Sequence, residues 1–382
     1  KKINKSLVQD QREATMRTLG AVPSLQKLPQ RHRSFCGHKS NAHSLSTRAM
    51  ASSASLRGTL TVYKQDPSLV MFTSGPFEAC GTVVFVGGLT DGPLGLRYIP
   101  ALAHALATAN PPWRLCQPTL SSSYLGFGVS DLAKDVQELD EVLEKILADA
   151  TDERHAVCLL GHSTGCQDIV AYLKTGKHVT RIKRAVLQAP VSDREAMSAE
   201  HGDEVIAGAR AMADGMCAAG ARDALMPRTT PGVFGTPITA HRYASLAGFG
   251  TADDMFSSDL THLELEEKLG HLKHKSSPPV LWVFSADDEY VPDDVKEKYE
   301  EFVSWIVDVT RGDGDGDVEV TDGTGDTKQP YGCRSTFISI AFANHALDGY
   351  GPLAKTTQPE GADPGGKFAE QFASEVIDFI NT

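Results

Sequence analysis

The 382-residue chain lacks any apolar run near the roughly 18 residues that a membrane-spanning helix needs. It also lacks ordered cysteine spacing. Its seven cysteines (36, 80, 116, 158, 166, 217 and 333) are odd in number and scattered. That argues against a disulfide framework or a structural zinc site, and for an intracellular protein with reduced thiols. Basic charge is scarce beyond residue 57, where 26 Lys and Arg face 47 Asp and Glu. Such a body repels phosphates and anionic membranes, which excludes nucleic acid as a partner.

Acidic residues are missing from the opposite end. Residues 1–57 hold 11 Lys and Arg against Asp10 and Glu13 alone, and Met16 to Arg57 contains no acid. A basic, Ser-bearing, acid-poor segment has the composition of a transit peptide for a plastid or mitochondrion. A disordered tail, or translated sequence upstream of a start at Met16 or Met50, has the same composition. A start at Met50 would leave the protein cytoplasmic.

From residue 58 onward the signals alternate. TLTVYK (59–64) and SLVMFTSG (68–75) are short β-type runs, and GTVVFVGG (81–88) is a continuous apolar strand ending in glycines. YIPALAHALATA (98–109) has helical spacing, and WRLCQPTL (113–120) is a strand. Residues 130–150 carry Leu132, Val136, Leu139, Val142, Leu143 and Ile146 on one helical face. HAVCLL, IKRAVLQAPV, PPVLWVFSA and RSTFISIAFAN supply later strands. TGCQDIVAYLK, VKEKYEEFVSWIVDV and KFAEQFASEVIDFI supply helices. Strand–helix alternation predicts a doubly wound, mostly parallel α/β sheet. Residues 193–275 interrupt it without a buried strand and are expected to form an inserted helical cap within a single catalytic domain, 58–382. Ser192 and Glu195 have capping-box spacing. The acidic, Gly-rich stretch 311–326 suggests a calcium loop. However, Val318 stands where an EF-hand starting at Asp313 needs glycine, and Thr324 where it needs glutamate. It reads as a solvated insertion, and no metal or cofactor is expected.

Chemistry concentrates at Gly161-His162-Ser163-Thr164-Gly165. A Gly-x-Ser-x-Gly pattern is common, but this one follows a strand and opens a helix. That is the context of a nucleophile elbow. Gly161 and Gly165 allow the close approach of strand and helix, and the Thr164 amide at the helix start faces a developing oxyanion. A serine nucleophile needs a base and an orienting acid, placed on this fold in the order Ser, Asp, His after later strands. Asp288 fits an Asp-x-x-Val-Pro pattern after PPVLWVFSA, with Asp287 its near rival and Asp193 a remote one. His345 follows the last strand. His162 is expected to point away from Ser163 into the scaffold. Gly87 and Gly88 turn the loop after GTVVFV so that Leu89 or Thr90 supplies the second oxyanion amide.

Six segments carry a wider resemblance: GGLTDG (87–92), SSSYLGFG (121–128), GHSTGCQD (161–168), LQAPVSDRE (187–195), DMFSSDL (254–260) and SADDEYVP (285–292). From about residue 58 the chain resembles a little-studied family of fungal and plant α/β-hydrolases that includes a fungal fusarinine C (siderophore) esterase. The resemblance implies Ser163, Asp288 and His345 as a triad acting on small-molecule esters. A non-catalytic or very slow binding protein on the same scaffold is the alternative. A lipase would want an apolar lid, whereas the cap is rich in alanine and charge.

Overall fold

The computed structural model describes residues 55–150, 152–312, 334–354 and 365–382. Most of the basic N-terminal segment, residues 1–54, lies outside them, as does the acidic stretch from 313 onward. All eight expected strands form: β1 (Thr59–Lys64), β2 (Leu69–Ser74), β3 (Gly81–Val86), β4 (Trp113–Pro118), β5 (Ala156–His162), β6 (Ile182–Gln188), β7 (Val280–Ser285) and β8 (Ser335–Ile340). They make one sheet in the order β1-β2-β4-β3-β5-β6-β7-β8. The β1–β2 and β2–β4 pairs are antiparallel, and every pair from β4 to β8 is parallel.

The two-residue side-chain period of a strand builds two apolar layers. Val84 and Val86 of β3 face the cluster that holds α2 (Leu132–Asp149) and α3 (Gly165–Thr175). Val83 and Phe85 face the cluster formed with α1 (Ile99–Thr108) and the closing C-terminal helix (Gly365–Ile380). All six residues of β3 and of β7 are buried, which is why both strands read as unbroken apolar runs. Trp282 of β7 is fully buried, stacked on Phe337 at 5.7 Å and edge-on to Phe256. Truncating such a side chain costs roughly 3–5 kcal/mol.

Between β6 and β7 run α4 (Asp193–His201), α5 (Asp203–Ala218), α6 (Ala240–Leu246) and α7 (His262–Leu269). The apolar residues of this region divide between two cores. Met197, Ile206, Ala213, Met226, Val233, Ile238, Tyr243 and Leu246 gather around Phe127 as a separate cluster. By contrast, Met255, Phe256, Leu260, Leu265, Leu269 and Leu272 belong to the core of the sheet. The second half of the expected cap is therefore part of the body.

Two local readings need correction. Ser192 does accept the Glu195 amide at 3.1 Å, but the Glu195 carboxylate turns to the Ser258 amide and hydroxyl instead of reaching back. The reciprocal capping box sits at Thr261 and Glu264, the start of α7. The single helix expected after β7 is two: a short α8 (Asp293–Lys296) started by Pro292, then α9 (Tyr299–Thr310), which buries Phe302, Val303, Ile306 and Val307. The closing helix is α10.

Candidate active site

Three separate segments meet at the carboxyl end of the parallel strands. Ser163 occupies the turn from β5 into α3 with φ +52°, a left-handed backbone that a non-glycine residue adopts only under constraint. Its neighbours provide the constraint. A Cβ on Gly161 would fall 2.5 Å from the Gly165 oxygen, and one on Gly165 would fall 2.3 Å from the Val86 oxygen. The Ser163 amide donates to the Gln188 oxygen at 3.0 Å, tying the turn to β6.

Gly88 lies against the nucleophile, for a Cβ there would stand 2.7 Å from Ser163 Cβ and 3.2 Å from Oγ. The loop that carries it is held by Asp91, whose Oδ2 accepts the Gly88 amide at 3.0 Å and whose side chain fills the space beside Gly87. Thr90 completes the turn with φ +68°. The amides of Leu89 and Thr164 have no acceptor among the described residues. Two free amides beside a serine can accept a developing oxyanion.

The Asp288 carboxylate and the His345 ring are in direct contact, Oδ2 to Nδ1 2.7 Å, and both are buried. The other Asp288 oxygen accepts the Tyr290 amide at 2.9 Å. Asp287 faces away: its Oδ2 accepts the Ala354 amide at 2.8 Å, and Lys296 Nζ lies 3.9 Å from Oδ1. Burial alone would lower the His345 pKa, but the charge and hydrogen bond of Asp288 outweigh it and raise it above the ordinary 6.5. Asp193, the remote rival, sits in the first turn of α4, where it accepts from Thr164 Oγ1 at 3.2 Å and Gln167 Nε2 at 3.0 Å. It braces the elbow and does not reach the histidine. Burial beside Asp253 raises its pKa to about 6.

Other residues around His345 were not expected from the sequence. Glu289 Oε2 accepts the His345 amide at 2.8 Å, and the Tyr290 ring meets the imidazole edge-on at 4.7 Å. Gln188, the last residue of β6, donates from Nε2 to the His345 oxygen at 3.0 Å. Its Oε1 accepts from Tyr98 at 3.3 Å and contacts His162 Nδ1 at 2.5 Å. His162 lies buried in the scaffold, held by Gln188 and packed edge-on to Tyr98 at 6.5 Å. Its ring lies 4.8 Å from that of His345. Burial, then the neighbouring His345, pushes its pKa well below 6.5 and keeps it neutral. Tertiary packing alone assembles this shell. The only sequence signal was the position of Gln188 at the end of the strand beside β5.

A family model described as "Protein of unknown function (DUF1749)" matches residues 48–313. The chain belongs to that family. Among its relatives, the fusarinine C esterase sidJ of Aspergillus fumigatus is 31% identical over 281 residues, covering 62% of this chain and 79% of that protein. Esterase AN6793 of Emericella nidulans is 28% identical over 269 residues, covering 55% and 70%. Among solved structures, the siderophore hydrolase EstB from Aspergillus fumigatus superposes with a TM-score of 0.65 at 24% identity. That match covers 86% of this chain and 98% of that one. This DUF1749 protein has the α/β-hydrolase fold.

Proposed function

We propose that the protein hydrolyses carboxylic esters of small molecules through an acyl-enzyme formed on Ser163. Ester hydrolysis as the class of activity rests on kinship with relatives named esterases. The finer mechanism rests on one observation above all. The Asp288–His345 contact of 2.7 Å is linked through Gln188, which accepts the Ser163 amide and donates to the His345 oxygen, to a serine held at φ +52°.

In this reading Ser163 Oγ attacks the ester carbonyl while His345 Nε2 takes its proton. The tetrahedral oxyanion forms against the Leu89 and Thr164 amides. The C–O bond to the alcohol then breaks, and His345 returns the proton to the leaving oxygen. Water, deprotonated by the same nitrogen, then attacks the acyl carbonyl, the acyl–Oγ bond breaks to release the acid, and His345 returns the proton to Ser163 Oγ. Asp288 fixes the ring with its Nδ1 proton toward the carboxylate and stabilises the imidazolium.

A fluorophosphonate probe tests the reading, since it labels a serine activated in this way. Labelling should vanish in Ser163→Ala. A wild-type protein that takes no label would instead be a binding protein on a hydrolase scaffold. A parallel screen of short-chain, long-chain and hydroxamate-bearing esters identifies the substrate, the last set motivated by relatives named for siderophores. The basic segment 1–57 we read as a delivery signal to a plastid or mitochondrion. A full-length fluorescent fusion found in the cytosol would remove that reading.

A further inference from the structure

His345 stands in a loop whose own backbone bonds pass it by. The loop begins where β8 ends at Ile340, and two of its non-glycine residues have left-handed backbone, Phe342 at φ +64° and Leu347 at φ +54°. It is tied to itself on either side of the histidine. The Asn344 amide donates to the Gly349 oxygen at 3.0 Å, and the Leu347 amide to the Asn344 oxygen at 3.1 Å. Among the described residues neither backbone group of His345 joins that set. Both are taken by side chains from elsewhere. Its amide donates to Glu289 Oε2 at 2.8 Å, and its oxygen accepts from Gln188 Nε2 at 3.0 Å. Two side chains, one charged and one neutral, therefore place the peptide of the candidate base.

Glu289 reaches the histidine from a turn. Beyond β7 the Ala286 amide donates to the Ile340 oxygen and the Asp287 amide to the Ala343 oxygen, both at 3.1 Å, so the loops after β7 and β8 run side by side. The chain then reverses at Asp288-Glu289-Tyr290-Val291, where the Val291 amide donates to the Asp288 oxygen at 3.4 Å. Three consecutive side chains of this turn meet one residue. Asp288 takes Nδ1, Tyr290 packs edge-on against the ring, and Glu289 takes the main-chain amide. The first two contacts fix how the imidazole is turned, whereas the third fixes where its backbone stands. An amide donating to a carboxylate makes a charge-assisted bond, stronger than the neutral kind. The Glu289 charge, with those of Asp288 and Asp193, also favours the protonated imidazole, and His162 against the same ring stays neutral.

We infer that Glu289 is a positioning residue for proton transfer, its carboxylate holding the His345 peptide so that Nε2 is presented to Ser163 Oγ. Glu289 carries no proton in the reaction. It acts through His345, first by accepting the amide and second by its charge. Because the residue is exposed, solvent screens the charge, and the hydrogen bond is the larger contribution. A misplaced base slows the chemical step without weakening ester binding. The inference rests on the Ser163–His345 reading above and adds to it a residue that sets the position of the base.

Two substitutions in the full chain separate the two contributions. Glu289→Ala removes both acceptor and charge, and should lower kcat on an activated ester about tenfold with KM little changed. Glu289→Gln keeps an acceptor oxygen on a side chain of the same length and should recover most of that loss. In both variants the acidic midpoint of kcat/KM should move to lower pH, because the raised His345 pKa loses one of its anionic neighbours. A lower Tm with kcat and midpoint unchanged would mean a structural role alone and overturns the inference. Equal losses of kcat in the two variants overturn it as well, since the acceptor would then have no part. If Glu289→Ala does not fold, Glu289→Gln decides by its midpoint, and one that stays put or rises overturns the inference. In each of these cases the wild type still hydrolyses the ester and takes the fluorophosphonate label, so the esterase reading stands. A wild type that does neither overturns that reading and this inference with it.

Discussion

The rings of His162 and His345 lie 4.8 Å apart, centroid to centroid, tilted at 56°. One is held neutral by burial, while the other gains its proton more readily because of Asp288. Gln188 bridges the two, contacting His162 Nδ1 through Oε1 and donating to the His345 oxygen through Nε2. Gln188→Leu removes both links without touching the reacting atoms. Turnover should fall about 10–100-fold through misplacement of the base, with little change in KM. An unchanged kcat in a folded variant would show that Gln188 serves stability alone.

Ser163→Ala and His345→Ala should each reduce kcat by several orders of magnitude, to similar residual rates, because nucleophile and base act as a unit. Steady-state kinetics on one activated ester decides this. A His345→Ala enzyme with near-full activity would displace His345 from the mechanism.

The adjacent acids should separate cleanly. Asp288→Asn is expected to lower kcat by roughly 10⁴, as loss of the orienting acid in such a triad does. Asp287→Asn keeps an acceptor for the Ala354 amide and should show mainly a lower Tm. Equal losses of activity would assign the role to Asp287.

The pH profile gives an independent check on the same pair. His345 must be neutral to act as a base, and its pKa is raised. Wild-type kcat/KM should therefore decline as pH falls through a midpoint above 6.5. In Asp288→Asn the residual activity should have its acidic midpoint at lower pH, because burial, which lowers the pKa, is then opposed by less. A midpoint that stays put or moves upward would contradict the electrostatic account of the contact.

Two glycines should fail in different ways. A methyl at Gly88 would press on Ser163, while one at Gly165 would meet the Val86 backbone oxygen at 2.3 Å. Gly88→Ala should depress activity with a nearly unchanged Tm. Gly165→Ala should lower the Tm itself, since backbone cannot yield as a side chain can. Thermal melts beside activity assays distinguish the two outcomes.

How much of this was legible in the sequence depends on how far apart the partners lie. The strands were readable because burial on both faces leaves continuous apolar runs such as GTVVFV. The serine turn was readable because its glycines are neighbours in the chain. Asp288 and His345 could be placed only because each follows a recognisable strand, and spacing alone did not exclude Asp287. The contact between His162 and His345, and the gathering of Asp135, Asp168 and Arg242, left no local trace. Those residues come from α2, α3 and α6, and packing alone brings them together. Glu195 shows the converse. Its spacing promised a local bond, but Ser258 outcompeted the Ser192 amide.

The division of the region between β6 and β7 into two cores makes the enzyme modular. Residues 197–247 cohere around Phe127, whereas those from Met255 to Leu272 are built into the sheet's own packing. An exchange of only the first block between family members would leave the body's foundations intact. Such a graft would also carry residue 242 with it, while Asp135 and Asp168 stayed behind. Divergence in this one surface block can therefore change the lining that residue 242 shares with Asp135 and Asp168 without altering Ser163, Asp288 or His345.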